Sequence, residues 1–177
     1  MNYSHKTDRL RKLILLTIFG SLMYLSQLLL AALPNIHMIA LFITVLTVVY
    51  RKWALVSIYI YAFLNGMYGI YVLIPYLYVW TILWAVIMLL PKKMKPVTAA
   101  ITYSLVCGLH GILFGVLYAP AQALLFGFSF EQTIAWIAYG FTFDIFHCLG
   151  NIIFSTLVYP MINLLKKLES GVSKRMS

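Results

Sequence analysis

Long apolar stretches alternate with short polar gaps along this chain, and its thirteen Lys and Arg residues occupy every second gap. A helix needs ~20 apolar residues to cross ~30 Å of hydrocarbon. Six stretches approach that length, approximately 13–33, 36–50, 53–74, 76–90, 96–126 and 130–165. The basic groups are Lys6, Arg9, Arg11 and Lys12; Arg51 and Lys52; Lys92, Lys93 and Lys95; and Lys166, Lys167, Lys174 and Arg175. The gaps near Pro34, near Pro75 and around Gly127–Glu131 carry none. Cytoplasmic loops retain Lys and Arg, so the pattern predicts a compact all-α bundle of six transmembrane helices with both termini inside. The second and fourth stretches are short, at 15 residues each, and short spans flanked by proline mark binding sites in transporters. Pro120 is expected to end or kink the fifth helix. That leaves Ala119–Gln132 as an external segment, either a lid or a cap.

Composition agrees with the pattern. With 63% hydrophobic residues, 10% charged and a mean hydropathy of +0.95, the 177 residues form a single integral membrane domain. The net charge of +9 sits in short juxtamembrane clusters that anionic lipid attracts, so nucleic acid is not the expected partner. The polar, basic N-terminus precedes an apolar run longer than a signal-peptide core, which reads as a retained first helix. Cys107 and Cys148 both lie inside apolar stretches and read as buried free thiols.

The topology also supplies a depth ruler. At about 1.5 Å per residue, Asn65 lies ~20 Å beyond Lys52 and His110 ~21 Å beyond Pro96, while Trp84 is ~13 Å below Pro75. Counted from Trp136, Asp144 is ~12 Å and His147 ~16 Å down. Polar groups from several helices thus converge on the outer half of the bundle, with Gln27 and His37 nearer the outer surface.

Apart from Glu131 at the very start of the sixth stretch, Asp144 is the one carboxylate inside a predicted span, where an unpaired charge costs several kcal/mol. His147 and Asn151 follow at three and seven residues, so the three share one helix face. Two roles are open, contact with a ligand or a polar network that locks the helix to its neighbours. His110 has the same two alternatives, and a Cys/His/Asp metal site with Cys107, His147 and Cys148 is a third, though the spacing lacks CxxC and HxxxH. Tyr59, Tyr61, Tyr76, Tyr78, Trp80 and Trp136 suit interfacial belts. Tyr68, Tyr71 and Trp84 are the better pocket residues, since aromatic walls with a few polar groups suit a planar heterocycle. No Lys or Arg lies within a span, which favours a neutral, zwitterionic or cationic ring compound. Neither hydrolase nor Walker motifs are present, so no catalytic residue, metal or cofactor is assigned. The competing functions are an intramembrane enzyme using Asp144 and His147, and a metal permease.

Leu33-Pro34-Asn35-Ile36 leading into a short apolar helix, Tyr76-Leu77-Tyr78-Val79-Trp80, and above all Phe143-Asp144-Ile145-Phe146-His147-Cys148-Leu149-Gly150-Asn151 resemble the substrate-binding S components of energy-coupling factor (ECF) vitamin transporters. The similarity runs the length of the chain. It implies a subunit of the prokaryotic plasma membrane that captures a vitamin outside the cell. Such a subunit works with a transmembrane coupling subunit and two ATP-binding subunits, which supply the energy. The loop between the first two helices and the later helices enclose the ligand in that family. The resemblance therefore points to Asn35, His37, Tyr76, Tyr78, Trp84, His110, Asp144, His147 and Asn151, to which the depth ruler and the aromatic pattern add Asn65 and Tyr68. Where many members carry AxxxA on the first helix to contact the coupling subunit, this chain has Thr17, Gly20 and Ser21. Small residues there permit close helix approach, toward a partner or within this protein. No motif names the vitamin. Two histidines, one acid and aromatic walls lean toward a vitamin B6 form, then thiamine, a deazapurine precursor or cobalamin.

Overall fold

The computed structural model describes residues 2–176, with side chains from residue 7 to residue 171. The side chains of Lys6, Lys174 and Arg175 lie outside the described residues. Eight α-helices account for nearly all of the chain, with no strand among the described residues. They are α1 (Asn2–Leu29), α2 (Ile39–Tyr50), α3 (Ala54–Asn65), α4 (Ile70–Leu89), α5 (Pro96–Ile112), α6 (Phe114–Phe126), α7 (Phe130–Ser155) and α8 (Val158–Met176). Five helical runs are long and apolar enough to cross a membrane: Thr7–Leu29, Ile39–Tyr68, Ile70–Leu89, Pro96–Phe126 and Phe130–Ser155.

The run Ile39–Tyr68 is not one rod. His37 and Tyr61 would be roughly 36 Å apart along a continuous helix, yet their rings lie 5.7 and 6.0 Å from the Trp80 ring. The chain reverses at Arg51, whose backbone is left-handed at φ 55° and which opens a 3-10 turn over Arg51–Trp53. α2 and α3 are therefore antiparallel limbs of 12 residues each. This corrects the expected pair of short elements, which are the second and third and not the second and fourth. α4 is a full 20 residues because it starts at Ile70, after Gly69 at φ 132°, and runs through Pro75.

Proline in mid-helix removes one N–H and frees the carbonyl four residues earlier. For Pro75 that carbonyl is Tyr71, and it accepts from Tyr118 Oη at 3.0 Å and Gln122 Nε2 at 2.7 Å on α6. One turn before Pro120, the Leu117 carbonyl accepts from Tyr78 Oη of α4 at 2.7 Å. α6 thus satisfies the carbonyl that Pro75 frees on α4, and Tyr78 adds a bond in the opposite direction. Pro120 does not end its helix, so Ala119–Gln132 is no free external segment. α6 continues to Phe126, Gly127 caps it in the left-handed conformation, and Ser129 with Gln132 forms a capping box that starts α7.

Close backbone approach fixes the two main helix pairs. On α5, a Cβ at Gly108 would lie 2.9 Å from Ile152, and one at Gly111 would lie 2.8 Å from the Cys148 nitrogen. Small residues at these positions let α5 and α7 meet backbone to backbone. Asn151 Nδ2 then reaches the Cys107 carbonyl at 2.9 Å. Between α1 and α3, Gly20 faces Ile60 and the Ser57 carbonyl, and Ser57 Oγ donates to the Leu16 carbonyl at 2.6 Å. Gly20 is thus buried against α3, in the close approach within the protein that is one of the two roles open to it. Thr17 is exposed and bonds only to its own helix, and Ser21 does the same.

The basic groups gather at one end of the bundle. Arg9 and Lys12 lie over the Trp53 ring at 5.6 and 5.7 Å. Arg11 and Tyr50 meet Glu169 of α8 at 3.4 and 2.8 Å. Arg51 Nη2 donates to the Met88 carbonyl at 3.0 Å, and one cleft brings Arg51, Lys92 and Lys166 together. The start of α1 and the last helix are therefore at the same end.

Candidate binding site

Opposite the basic end, the loop joining α1 and α2 dips into the bundle. Ile36 packs on Gly150 of α7, where a Cβ would come within 3.3 Å of it. His37 reaches the level of Trp80, the middle of α4. Asn35 makes the turn, with φ 55°. Irregular backbone at such depth is tolerated where protein covers it or where it lines a cavity, and here both hold.

A cluster of rings lies beneath the loop. Trp80, fully buried, is ringed by His37, Tyr61, Tyr76, His110, Phe114 and His147 at centroid distances of 5.2–6.2 Å. The imidazoles of His37 and His147 meet edge-on at 4.6 Å. The seven residues come from six parts of the chain, the α1–α2 loop, α3, α4, α5, α6 and α7, with Tyr76 and Trp80 both on α4.

Five ring nitrogens in this cluster are buried without a partner among the described residues: His37 Nδ1, Trp80 Nε1, His110 Nδ1, and both Nδ1 and Nε2 of His147. A buried polar group left unpaired costs roughly 1–3 kcal/mol, and such groups are few in folded proteins. His110 Nε2 lies 3.1 Å from the Val79 carbonyl. A carbonyl only accepts, so Nε2 carries the proton and Nδ1 presents a lone pair. Trp80 Nε1 can only donate. Neutral His147 has one donor and one acceptor. The cluster thus offers donors and acceptors side by side, to a partner that carries both.

Two clefts open beside it. The first, about 260 Å³, is lined by Gln27, Asn35, His37, Tyr68, Tyr76 and Phe114 with loop aliphatics. The second, about 310 Å³, is lined by Asn35, Tyr76, Phe114, Tyr118, Trp136, Phe143 and Asp144. Asn35, Tyr76 and Phe114 border both. Phe114 stands between the clefts and His147, 4.8 Å from its ring. Neither cleft presents a Lys or Arg.

The structure sorts the expected site residues into three groups. Asn35, His37, Tyr68, Tyr76 and Asp144 line the clefts, and His110 and His147 belong to the ring cluster. Asn65, Tyr78 and Asn151 line neither cleft and make hydrogen bonds to neighbouring helices. Asn65 is bonded to Gln27 and to the Tyr61 carbonyl, Tyr78 to Leu117, and Asn151 to Cys107, though its Oδ1 is unpartnered. Trp84 lies elsewhere, its Nε1 donating to the Arg51 carbonyl at 3.2 Å near the basic end. Its neighbour one turn away, Trp80, is the central residue. The depth ruler started this helix at Pro75; starting it at Ile70 moves every level by ~8 Å, which carries Trp80 from the interface to mid-helix. Tyr61, Phe114 and Tyr118 join it as unanticipated members.

Asp144 does not pair with His147. Both carboxylate oxygens approach the Gly115 N–H, at 3.1 and 3.2 Å. At Leu113 the helix changes course (φ −92°, ψ 0°) and α6 begins afresh. A first-turn N–H has no partner in its own helix, and the carboxylate of α7 caps it from outside, favourably placed for the helix dipole. Among the described residues no three His, Cys, Asp or Glu are placed to hold a metal ion. Cys107 shares a contact of 3.3 Å with Thr44 Oγ1 instead. Comparison with known proteins finds no matching family model, no matching curated protein and no matching solved structure.

Proposed function

We propose that this chain is the substrate-binding subunit of a vitamin uptake transporter of the energy-coupling factor type. It captures a small heteroaromatic compound between the α1–α2 loop and the Trp80 ring cluster. The observation that carries the proposal is the group of five unpartnered ring nitrogens under a loop buried to mid-helix depth. A planar ligand with donors and acceptors on its ring edge pairs with His110 Nδ1, Trp80 Nε1 and His147 while its face meets Tyr76 and Phe114. Binding needs no chemistry on the ligand.

The gathering of basic residues at one end supports a topology with that end in the cytoplasm. The hairpin of α2 and α3 then contributes two of six crossings, both termini are cytoplasmic, and the loop with its clefts faces outward. In this scheme the coupling subunit and two ATP-binding subunits drive release inward. The exposed face of α1, with Ile14, Thr17, Ile18 and Leu22, is the surface offered to the coupling subunit.

The test is extraction of small molecules from protein purified in detergent, with mass-spectrometric identification. Wild-type protein is expected to retain a stoichiometric heteroaromatic compound, and Trp80→Phe and His147→Ala to lose it by roughly tenfold or more, the scale of one or two buried hydrogen bonds. Retention unchanged in both variants would sink the proposal. Co-purification with an ECF module tests the partner assignment separately.

A further inference from the structure

Three of the four basic groups converge on a second site, at the end of the bundle opposite the ring cluster. Two adjoining clefts of about 190 and 220 Å³ share Val48, Lys92, Tyr103 and Lys166. Arg51 completes one of them, and Lys93 with Asn163 the other. Each holds roughly six or seven water volumes, enough for a polar headgroup and too little for a second helix. No Asp or Glu lines either cleft. Among the described residues the one ion pair is Arg11 with Glu169, so the cleft lysines are uncompensated.

Tyr103 makes this more than a patch of surface lysines. Only 5% of it is exposed, yet it lines both clefts, and its hydroxyl has no hydrogen-bond partner among the described residues. Arg51 is held in place by one guanidinium nitrogen on the Met88 carbonyl and by a backbone conformation at φ 55° where glycine would sit more easily. Its remaining guanidinium donors have no partner among the described residues. Val48, Ile87, Leu90, Met94 and Ile162 supply apolar walls. A cationic rim, an unpaired tyrosine hydroxyl open to the cleft and aliphatic walls complement a phosphate diester attached to an acyl-bearing glycerol, and a free phosphate would leave the walls unused.

We infer that the clefts around Tyr103 bind the phosphate headgroup of one anionic phospholipid, with Arg51, Lys92 and Lys166 as its cationic ligands and Tyr103 Oη as a donor. The site is independent of the proposed vitamin pocket. Native mass spectrometry tests it on full-length protein released from mixed phosphatidylglycerol and phosphatidylcholine micelles. One phosphatidylglycerol is expected to stay bound in preference to phosphatidylcholine. Lys92→Gln and Lys166→Gln each lower its retention roughly fivefold, and Tyr103→Phe, which keeps the buried ring, lowers it as well. The exposed Lys52 lies outside both clefts, and Lys52→Gln leaves retention unchanged. Equal loss in Lys52→Gln and Lys166→Gln would show diffuse juxtamembrane attraction and overturn the site. Absence of headgroup preference, or displacement of the lipid by equimolar inorganic phosphate, would overturn the lipid assignment.

Discussion

Adding one methyl group at Gly111 should separate the two most closely packed helices. The new Cβ would lie 2.8 Å from the Cys148 nitrogen and 2.9 Å from both the Cys148 Cα and Asn151 Nδ2. These are main-chain atoms and a bonded amide, so no side chain can swing away. Carbon contacts relax at about 3.5–4.0 Å, so α7 has to retreat by on the order of 1 Å. Overpacking of this kind costs about 1–3 kcal/mol, and stretching the Asn151–Cys107 hydrogen bond adds about 1 kcal/mol. For a chain of this length each kcal/mol lowers the melting temperature by roughly 2–4 °C, so Gly111→Ala should melt roughly 4–15 °C below wild type. Gly140→Ala is the reference, because its Cβ would meet nothing within 4 Å. Gly108→Ala should fall between them, since the atoms it meets at 2.9 and 3.2 Å belong to the Ile152 side chain, which can turn. Thermal unfolding in detergent, followed by tryptophan fluorescence, reads the series. If Gly111→Ala melts within about 2 °C of Gly140→Ala, the close α5–α7 contact does not hold the bundle as described. Because His147 adjoins Cys148, the same retreat should also weaken ligand retention.

Two further substitutions probe the polar contacts between helices. Asp144→Ala leaves the Gly115 N–H without its cap and should lose about 1–3 kcal/mol, whereas Asp144→Asn keeps an acceptor oxygen and should lose less than half of that in thermal unfolding. Equal losses would mean that the charge, and not the hydrogen bond, holds the kink. At the carbonyl freed by Pro75, Tyr118→Phe and Gln122→Ala each leave the other donor in place. Each single change should therefore cost well under 1 kcal/mol, and the double variant about 1–3 kcal/mol, a coupling read by a double-mutant cycle. Strict additivity would show that Tyr71 does not need either donor.

Much of this protein is legible in one dimension. Hydrophobic stretches of membrane-crossing length, separated by gaps that alternate between those with Lys or Arg and those without, match helices whose basic ends meet. Helical periodicity put Asp144, His147 and Asn151 on one face, and all three are buried, with 1–3% exposure. Both signals are local: burial of apolar length and a period of 3.6 residues depend on the neighbours in sequence. Partners are a different matter. Asp144 reaches Gly115 and not His147 because α7 meets the break at Leu113, and that break is set by packing between helices. His37 meets His147 because the α1–α2 loop descends to mid-helix, over Gly150. Trp80 rather than Trp84 centres the cluster because the fourth helix starts at Ile70, just after Gly69, and the carbonyl its internal proline frees is met by two donors from α6. A helix boundary, a loop depth and the far end of a hydrogen bond depend on residues distant in sequence, so only the folded bundle decides them.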